Sequence, residues 1–250
     1  MPLIRTAPAA GLGAFNRIIA SAAAAGILAG LLLTGVQQVQ VAPIILQAEV
    51  FESAAPKALE VAPTHSHADA TPHEHADEGA HEHGGWQPDD GFERTFYTAV
   101  ANISAGVGYA LLLAAAISLV GRTSNWRAGL LWGAAGYTAF FVAPSIGLPP
   151  ELPGTVAAPL LARQLWWTAT VAASAGGLAL LVFAKNWPLK IGGALMLLAP
   201  HLVGSPQPAV HSSTAPAELA RSFLYATLLA NAAFWLAMGA LAGYFYKKFG

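Results

Sequence analysis

The chain has 250 residues, of which 55% are hydrophobic and only 10% charged, with a net charge of −1 and no cysteine. Soluble domains carry about a quarter charged residues, and here the apolar residues come in long blocks, which marks a membrane protein rather than a soluble core. The composition excludes disulfides, thiolate metal sites and thiol catalysis, and the scattered charges form no patch for nucleic acid.

In chain order, the apolar blocks run Ile18–Val41, Thr95–Val120, Ala128–Ser145, Gln164–Ala184, Leu189–Val203 and Ser222–Tyr246. A helix needs about 20 residues to cross the hydrocarbon, so four of these are comfortable and the third and fifth are short. The expected fold is an all-α polytopic bundle with six transmembrane helices, a five-span arrangement with a re-entrant fifth block staying open. The first block follows Arg17 like a signal peptide, but it exceeds 20 residues and ends in QQVQVAP without a small-x-small cleavage site. It reads as an uncleaved first helix. The division expected is residues 1–52 for the N-terminal segment and first helix, 53–90 for an external loop, and 91–250 for the remaining bundle.

Charge orients the spans. With six helices and both termini cytoplasmic, the inner segments contain Arg5, Arg17, Arg122, Arg127, Lys185, Lys190, Lys247 and Lys248 and no acid. The outer segments hold all 13 acids, with Lys57, Arg94, Arg163 and Arg221. Basic residues kept inside are the usual topology signal, and removing one span would destroy the segregation.

The 53–90 loop carries three His-x-His pairs: His65 with His67, His73 with His75, and His81 with His83. They repeat every eight residues as HSHADATP, HEHADEGA and HEHGGWQP. Neutral imidazoles with nearby Glu74, Asp77, Glu78 and Glu82 suit Co, Ni, Cu or Zn, and the Gly, Pro and Asp content gives a loose collecting site rather than a store. The bland alternative is an acidic tether with incidental histidines, which the eight-residue phasing argues against. Such a loop cannot select cobalt by itself, since affinity rises from Co to Ni to Cu.

Landmarks also recur. Ala-Pro closes each odd block, at Pro43, Pro144 and Pro200, and an arginine opens each even one, as Arg94-TFY, Arg163-QLWW and Arg221-SFLY. SAG recurs at Ser104–Gly106 and Ser174–Gly176. Once the His-rich insertion, approximately Ser53 to Gly85, is removed, the pattern suggests three related two-helix hairpins. The competing explanation is that proline and arginine are simply common at membrane interfaces.

Inside the spans, His201 follows Pro200 in APHLVGSPQP, where a proline frees backbone carbonyls that could join an imidazole around an ion; an interfacial histidine bonded to water is the alternative. His211 is the weaker candidate. Asn102, Asn231 and Gln37, with Gln38 and Gln40, are polar groups at membrane depth that either glue helices or line an ion path. Glu93 with Arg94, Glu151 with Arg163 and Glu218 with Arg221 are expected as interfacial ion pairs, with Glu151 also a candidate entrance ligand. Trp86, Trp126, Trp166, Trp167 and Trp187 are expected in an aromatic belt, and GILAG and ALAG favour close helix packing. There is no P-loop and no carboxylate in a span core, so neither nucleotide hydrolysis nor an acidic proton relay is expected of this chain.

The ordered motifs VAPIILQAEVFE, DGFERTFYTAVAN, FFVAPSIGLPPELPG, ARQLWW and APHLVGSPQP, around a His/acid insertion, resemble the CbtA family of proposed cobalt transporter subunits from about Phe15 onward. The resemblance implies a non-enzymatic, multi-pass inner-membrane protein linked to cobalamin biosynthesis. It further implies a small single-span, His-rich partner, CbtB, and often a count of five spans. It carries over no established site residues. The expected function is uptake of cobalt, or a related divalent metal such as nickel, with no tightly bound cofactor and with the ion only transported or loosely held. A non-transporting metal-binding or metal-sensing membrane protein is the alternative, and a membrane enzyme is the weaker one. Oligomeric state is not legible, a homo-oligomer being left open.

Overall fold

The computed structural model describes residues 9–54, 88–121 and 125–249. Most of the expected 53–90 segment therefore lies outside the described residues. So do all six loop histidines expected as metal ligands: His65, His67, His73, His75, His81 and His83. Trp86, Arg5, Lys57 and Arg122 are outside them as well. The architecture is all-helical: α1 (Ala9–Gln40), α2 (Ala42–Ala54), α3 (Phe92–Val120), α4 (Trp126–Tyr137), a π-helical turn (Thr138–Val142), α5 (Ala143–Gly147), α6 (Leu160–Phe183), α7 (Trp187–Val203) and α8 (Ala217–Lys248). Among them, α1, α3, the continuous run Trp126–Gly147, α6 and α8 are long and apolar enough to cross a membrane. The shorter α7 has 17 residues, or about 25 Å.

Glycine decides which helices approach most closely. Gly26 and Gly30 of α1 sit against the α3 backbone at Gly106, Val107 and Ile103. Gly129 and Gly133 of α4 meet Gly239 and Gly243 of α8, and Gly177 of α6 meets Gly193 of α7. Without side chains at these points the backbones come together, which is how membrane helices gain dispersion contact when lipid removes the hydrophobic incentive to associate. The GILAG and ALAG segments behave as expected. The core formed around α1, α3 and α8 is mostly alanine, with Phe223, Phe234, Trp235 and Met238 among its large members.

Several expectations need correcting. Proline does not close the odd helices: Pro43 lies in the first turn of α2, Pro144 at the start of α5, and Pro200 inside α7, which continues to Val203. The sequence reading missed α2 altogether, because a proline in a first turn starts a helix as readily as it stops one. Nor do the three hairpins pack alike. α1 packs on α3, but α7 packs on α6 while α8 is held by α4 and α1. Trp166 is buried rather than part of a surface belt, whereas Trp126 and Trp187 are exposed.

The π turn has a local cause. Pro144 has no N–H to return to the carbonyl of Phe140, and the chain widens through Thr138–Val142 just before it.

Two ends of opposite charge result. Glu49, Glu52, Asp89, Asp90, Glu93, Glu151 and Glu218 gather at one, with Arg94, Arg163 and Arg221. At the other stand Arg17, Arg127, Lys185, Lys190, Lys247 and Lys248, with no acid among the described residues. There, Arg17 stacks over the Tyr246 ring at 4.8 Å, joining the start of α1 to the end of α8.

Candidate functional site

The acidic end is built from two proline-rich connections, residues 148–159 and 204–216. Each is too rich in proline to extend a helix, and they meet as a short antiparallel contact. Val156 N–H donates to the Ser212 carbonyl at 3.0 Å, Thr214 N–H to the Gly154 carbonyl at 3.2 Å, and the Thr155 and Ser213 hydroxyls bond at 3.1 Å. Gly154 takes φ +76°, where Thr214 leaves no room for a side chain and Glu52 of α2 lies at contact distance.

Between the two connections lies a cleft of ≈ 400 Å³, lined among others by Glu151, Thr155, Gln207, His211, Ser212 and Ser213. Glu151 is held by Arg163 at 3.0 Å, the expected pair. Gln207 Nε2 donates to Ser205 Oγ at 2.8 Å, and Ser205 in turn donates to the Gly147 carbonyl at 2.7 Å, tying the start of one connection to the end of α5. The lining thus offers a carboxylate, an imidazole, an amide and hydroxyls: oxygen and nitrogen donors suited to a hydrated divalent cation, though not to a tight site.

His201 does not line this cleft, and only Trp166 stands between it and the cleft residue Gly147. It is half-buried at the last turn of α7 and faces the edge of Trp166, ring centroids 6.1 Å apart. Trp166 itself packs against Gly147 and donates Nε1–H to the Pro200 carbonyl at 3.3 Å. That carbonyl also receives Gly204 N–H at 3.0 Å, so it is occupied twice. The carbonyl released by Pro200 is instead that of Met196, one turn earlier, since proline cannot donate back to it. Among the described residues, no three of His, Asp or Glu are grouped to hold a metal. The ligand set expected of His65, His67, His73, His75, His81 and His83 falls outside those residues, so its geometry forms no part of the site described.

The other polar candidates separate into different places. Asn102 of α3 donates from Nδ2 to Gln37 Oε1 at 2.7 Å and to Thr34 Oγ1 at 3.0 Å, bridging to α1. Thr34 returns its hydroxyl to the Gly30 carbonyl at 2.9 Å, next to the glycine approach of the two helices. Asn102 and Gln37 are thus brought together, and Thr34 joins them. Its place one helical turn before Gln38 on an apolar helix was the available sign. Asn231 stays within α8, donating to the Thr227 carbonyl at 2.9 Å, and meets neither of them. Glu151 belongs to the cleft.

Two arginine pairs complete the acidic end. Arg94 does not choose its neighbour Glu93. It donates to Glu49 of α2 from both terminal guanidinium nitrogens, Nη1 and Nη2, the longer contact being 3.1 Å, and from Nη1 to Asp90 at 2.9 Å. Glu93 instead accepts from Asp89 N–H at 3.1 Å, in the turn just before α3. This bidentate clamp pins α2 to α3, and it lies where the described chain leaves α2 and re-enters α3. Arg221 reaches Glu218 at 3.6 Å. The hydroxyls of Ser21 and Ser174 are buried without a hydrogen-bond partner among the described residues.

Comparison with known proteins gives a match to one family model, CbtA, described as a probable cobalt transporter subunit, over residues 15–247. No curated protein and no solved structure matches the chain. The matched stretch runs from the first turns of α1 to the end of α8, so it takes in both charged ends, the cleft and every polar candidate: the chain belongs to the CbtA family of probable cobalt transporter subunits.

Proposed function

We propose that this chain brings cobalt, or a related divalent ion such as nickel, across the bacterial inner membrane in support of cobalamin biosynthesis, with the acidic end facing outward. The family match over nearly the whole bundle is the observation that carries the proposal. The segregation of described carboxylates from described lysines supports the orientation, since retained basic residues mark the cytoplasmic side.

Six crossings follow in this reading. α7 starts just past the end of α6 and finishes beside its beginning, where Trp166 meets Pro200. If α6 crosses, α7 returns, and α8 then starts on the acidic side. With snorkelling ends, a helix of about 25 Å can serve a hydrocarbon layer of about 30 Å. Both termini are then cytoplasmic and the 53–90 loop is external. Its histidines would collect the ion, and the cleft at Glu151 and His211 would receive it next. A divalent cation moving inward gains about 4.6 kcal/mol at 100 mV, so the potential can drive uptake without nucleotide hydrolysis.

The family description as a subunit supports a partner complex, for which we propose the small single-span protein CbtB. Radiolabelled Co²⁺ uptake into cells expressing this chain, the partner, both or neither tests the reading. Uptake should require this chain. Metal binding without uptake in the cells expressing both would favour a membrane metal-binding or sensing protein instead. One observation favours that alternative: the glycine contacts bring α1 to α3 and α4 to α8 backbone to backbone, leaving little room for an ion between those pairs.

A further inference from the structure

The α6–α7 pair leans on the rest of the bundle chiefly through the π turn and α5. Toward the acidic end this contact is tight: Phe140 meets Trp167, centroids 6.3 Å apart, and Gly147 lies on Trp166. Toward the basic end α6 and α3 stand apart, and a groove of ≈ 640 Å³ opens between α3, α4 and α6. Leu113, Ile117 and Gly136 form its buried floor, while Leu131, Val182 and Phe183 stand exposed at its rim. It extends from Leu112 to Val120 along α3 and from Ala175 to Phe183 along α6, or about 12 Å at the helical rise.

That length discriminates between occupants. One leaflet's hydrocarbon is about 15 Å deep, half the core thickness, so the groove matches an acyl chain entering from one side. A spanning helix would need a track through the whole thickness, which the π turn and Trp167 interrupt. The mouth supplies the charge. Arg127 directly precedes the groove-lining Ala128, and Lys185 stands two residues beyond Phe183. Both are exposed, neither has an acidic partner among the described residues, and the Arg127 guanidinium rests over Trp126 at 5.3 Å.

We propose that this groove binds one anionic phospholipid, its acyl chain along α3 and α6 and its phosphate between Arg127 and Lys185. Basic residues at the ends of clefts between membrane helices are suited to such headgroups. The test uses the purified full-length chain, delipidated in mild detergent, with phosphatidylglycerol or phosphatidylcholine added back and bound lipid counted by native mass spectrometry. Phosphatidylglycerol should bind preferentially. Each cation near the surface adds about fivefold in affinity, so R127Q/K185Q should cut the preference by roughly thirtyfold. K247Q/K248Q, at the same end but away from the groove, should leave it unchanged. Ala179→Phe, which fills the groove, should abolish binding of both lipids. Equal binding of the two lipids by the unmodified chain would overturn the proposal. So would an equal loss in R127Q/K185Q and K247Q/K248Q, which would mean a diffuse basic belt. A polypeptide displaced by Ala179→Phe with bound lipid unchanged would assign the groove to a helix and equally refute it. Should Ala179→Phe fail to fold, the two glutamine double variants decide alone.

Discussion

Gly239→Ala is the sharpest structural test of how the bundle holds together. A methyl built on Gly239 would lie 2.6 Å from both the nitrogen and the Cα of Gly133, and closer still to the Gly129 carbonyl. These neighbours are backbone and cannot swing away, so α4 and α8 must part by roughly 1 Å to restore ordinary contact, and a gap of that size forfeits a quarter to a half of each dispersion well. Overpacking of this kind costs about 1–3 kcal/mol, against which alanine regains up to about 1 kcal/mol of helix propensity. The net expectation is a loss of about 1–2 kcal/mol. Gly192→Ala is the control: it sits inside α7 with nothing within 4 Å of an added methyl, so only the propensity gain remains. Denaturant unfolding of the purified protein, followed by helical circular dichroism, should lower the midpoint for Gly239→Ala and hold or raise it for Gly192→Ala. Equal midpoints would refute the claim that glycine contact, rather than general apolar burial, fastens α4 to α8.

Asn102→Leu removes two hydrogen bonds between α3 and α1 and should cost about 1 kcal/mol in the same unfolding experiment; loss of Co²⁺ uptake at unchanged stability would instead mark this polar cluster as part of the ion path. Glu151→Gln breaks a partly exposed ion pair, so stability should fall by no more than about 1 kcal/mol, while half-saturation for Co²⁺ should rise several-fold if the cleft receives the ion. Unchanged half-saturation would remove Glu151 from the route. Deleting residues 64–84 should weaken uptake at scarce Co²⁺ and spare it at excess, whereas complete loss at saturating metal would make the histidines an obligatory step. Protonated imidazole cannot ligate, so loop-dependent uptake should be present above the ordinary histidine pKa of about 6.5 and fade as pH drops below it; an equal acid response in the deletion variant would show another group responsible.

The helices and their polarity were legible because apolar blocks and sorted charges are local signals. Arg163 and Glu151, twelve residues apart at the two edges of one loop, could be paired by inspection. Arg94 could not: its partner Glu49 lies 45 residues away across the His-rich insertion, on a helix concealed by Pro43. The same holds for the hairpin pattern. Prolines and arginines recur along the chain, but the true partners of α7 and α8 are chosen by where glycines can meet, at Gly177 and Gly193 and at Gly129 and Gly239, and nothing in a single helix announces its counterpart. The π turn was likewise hidden, because Pro144 alone does not say whether a chain will kink, stop or widen. At the candidate site, Glu151 and His211 were visible as residue types in Pro-rich loops. Their relation was not, since the cleft exists only after residues 148–159 and 204–216 meet.

Reconstitution of the chain with its single-span partner in proteoliposomes, under an imposed inside-negative potential, addresses transport itself. External Co²⁺ should accumulate inside, faster as the potential grows, and accumulation should vanish when this chain is left out. Co²⁺ that binds the vesicles without entering them at any potential would contradict transport by this bundle.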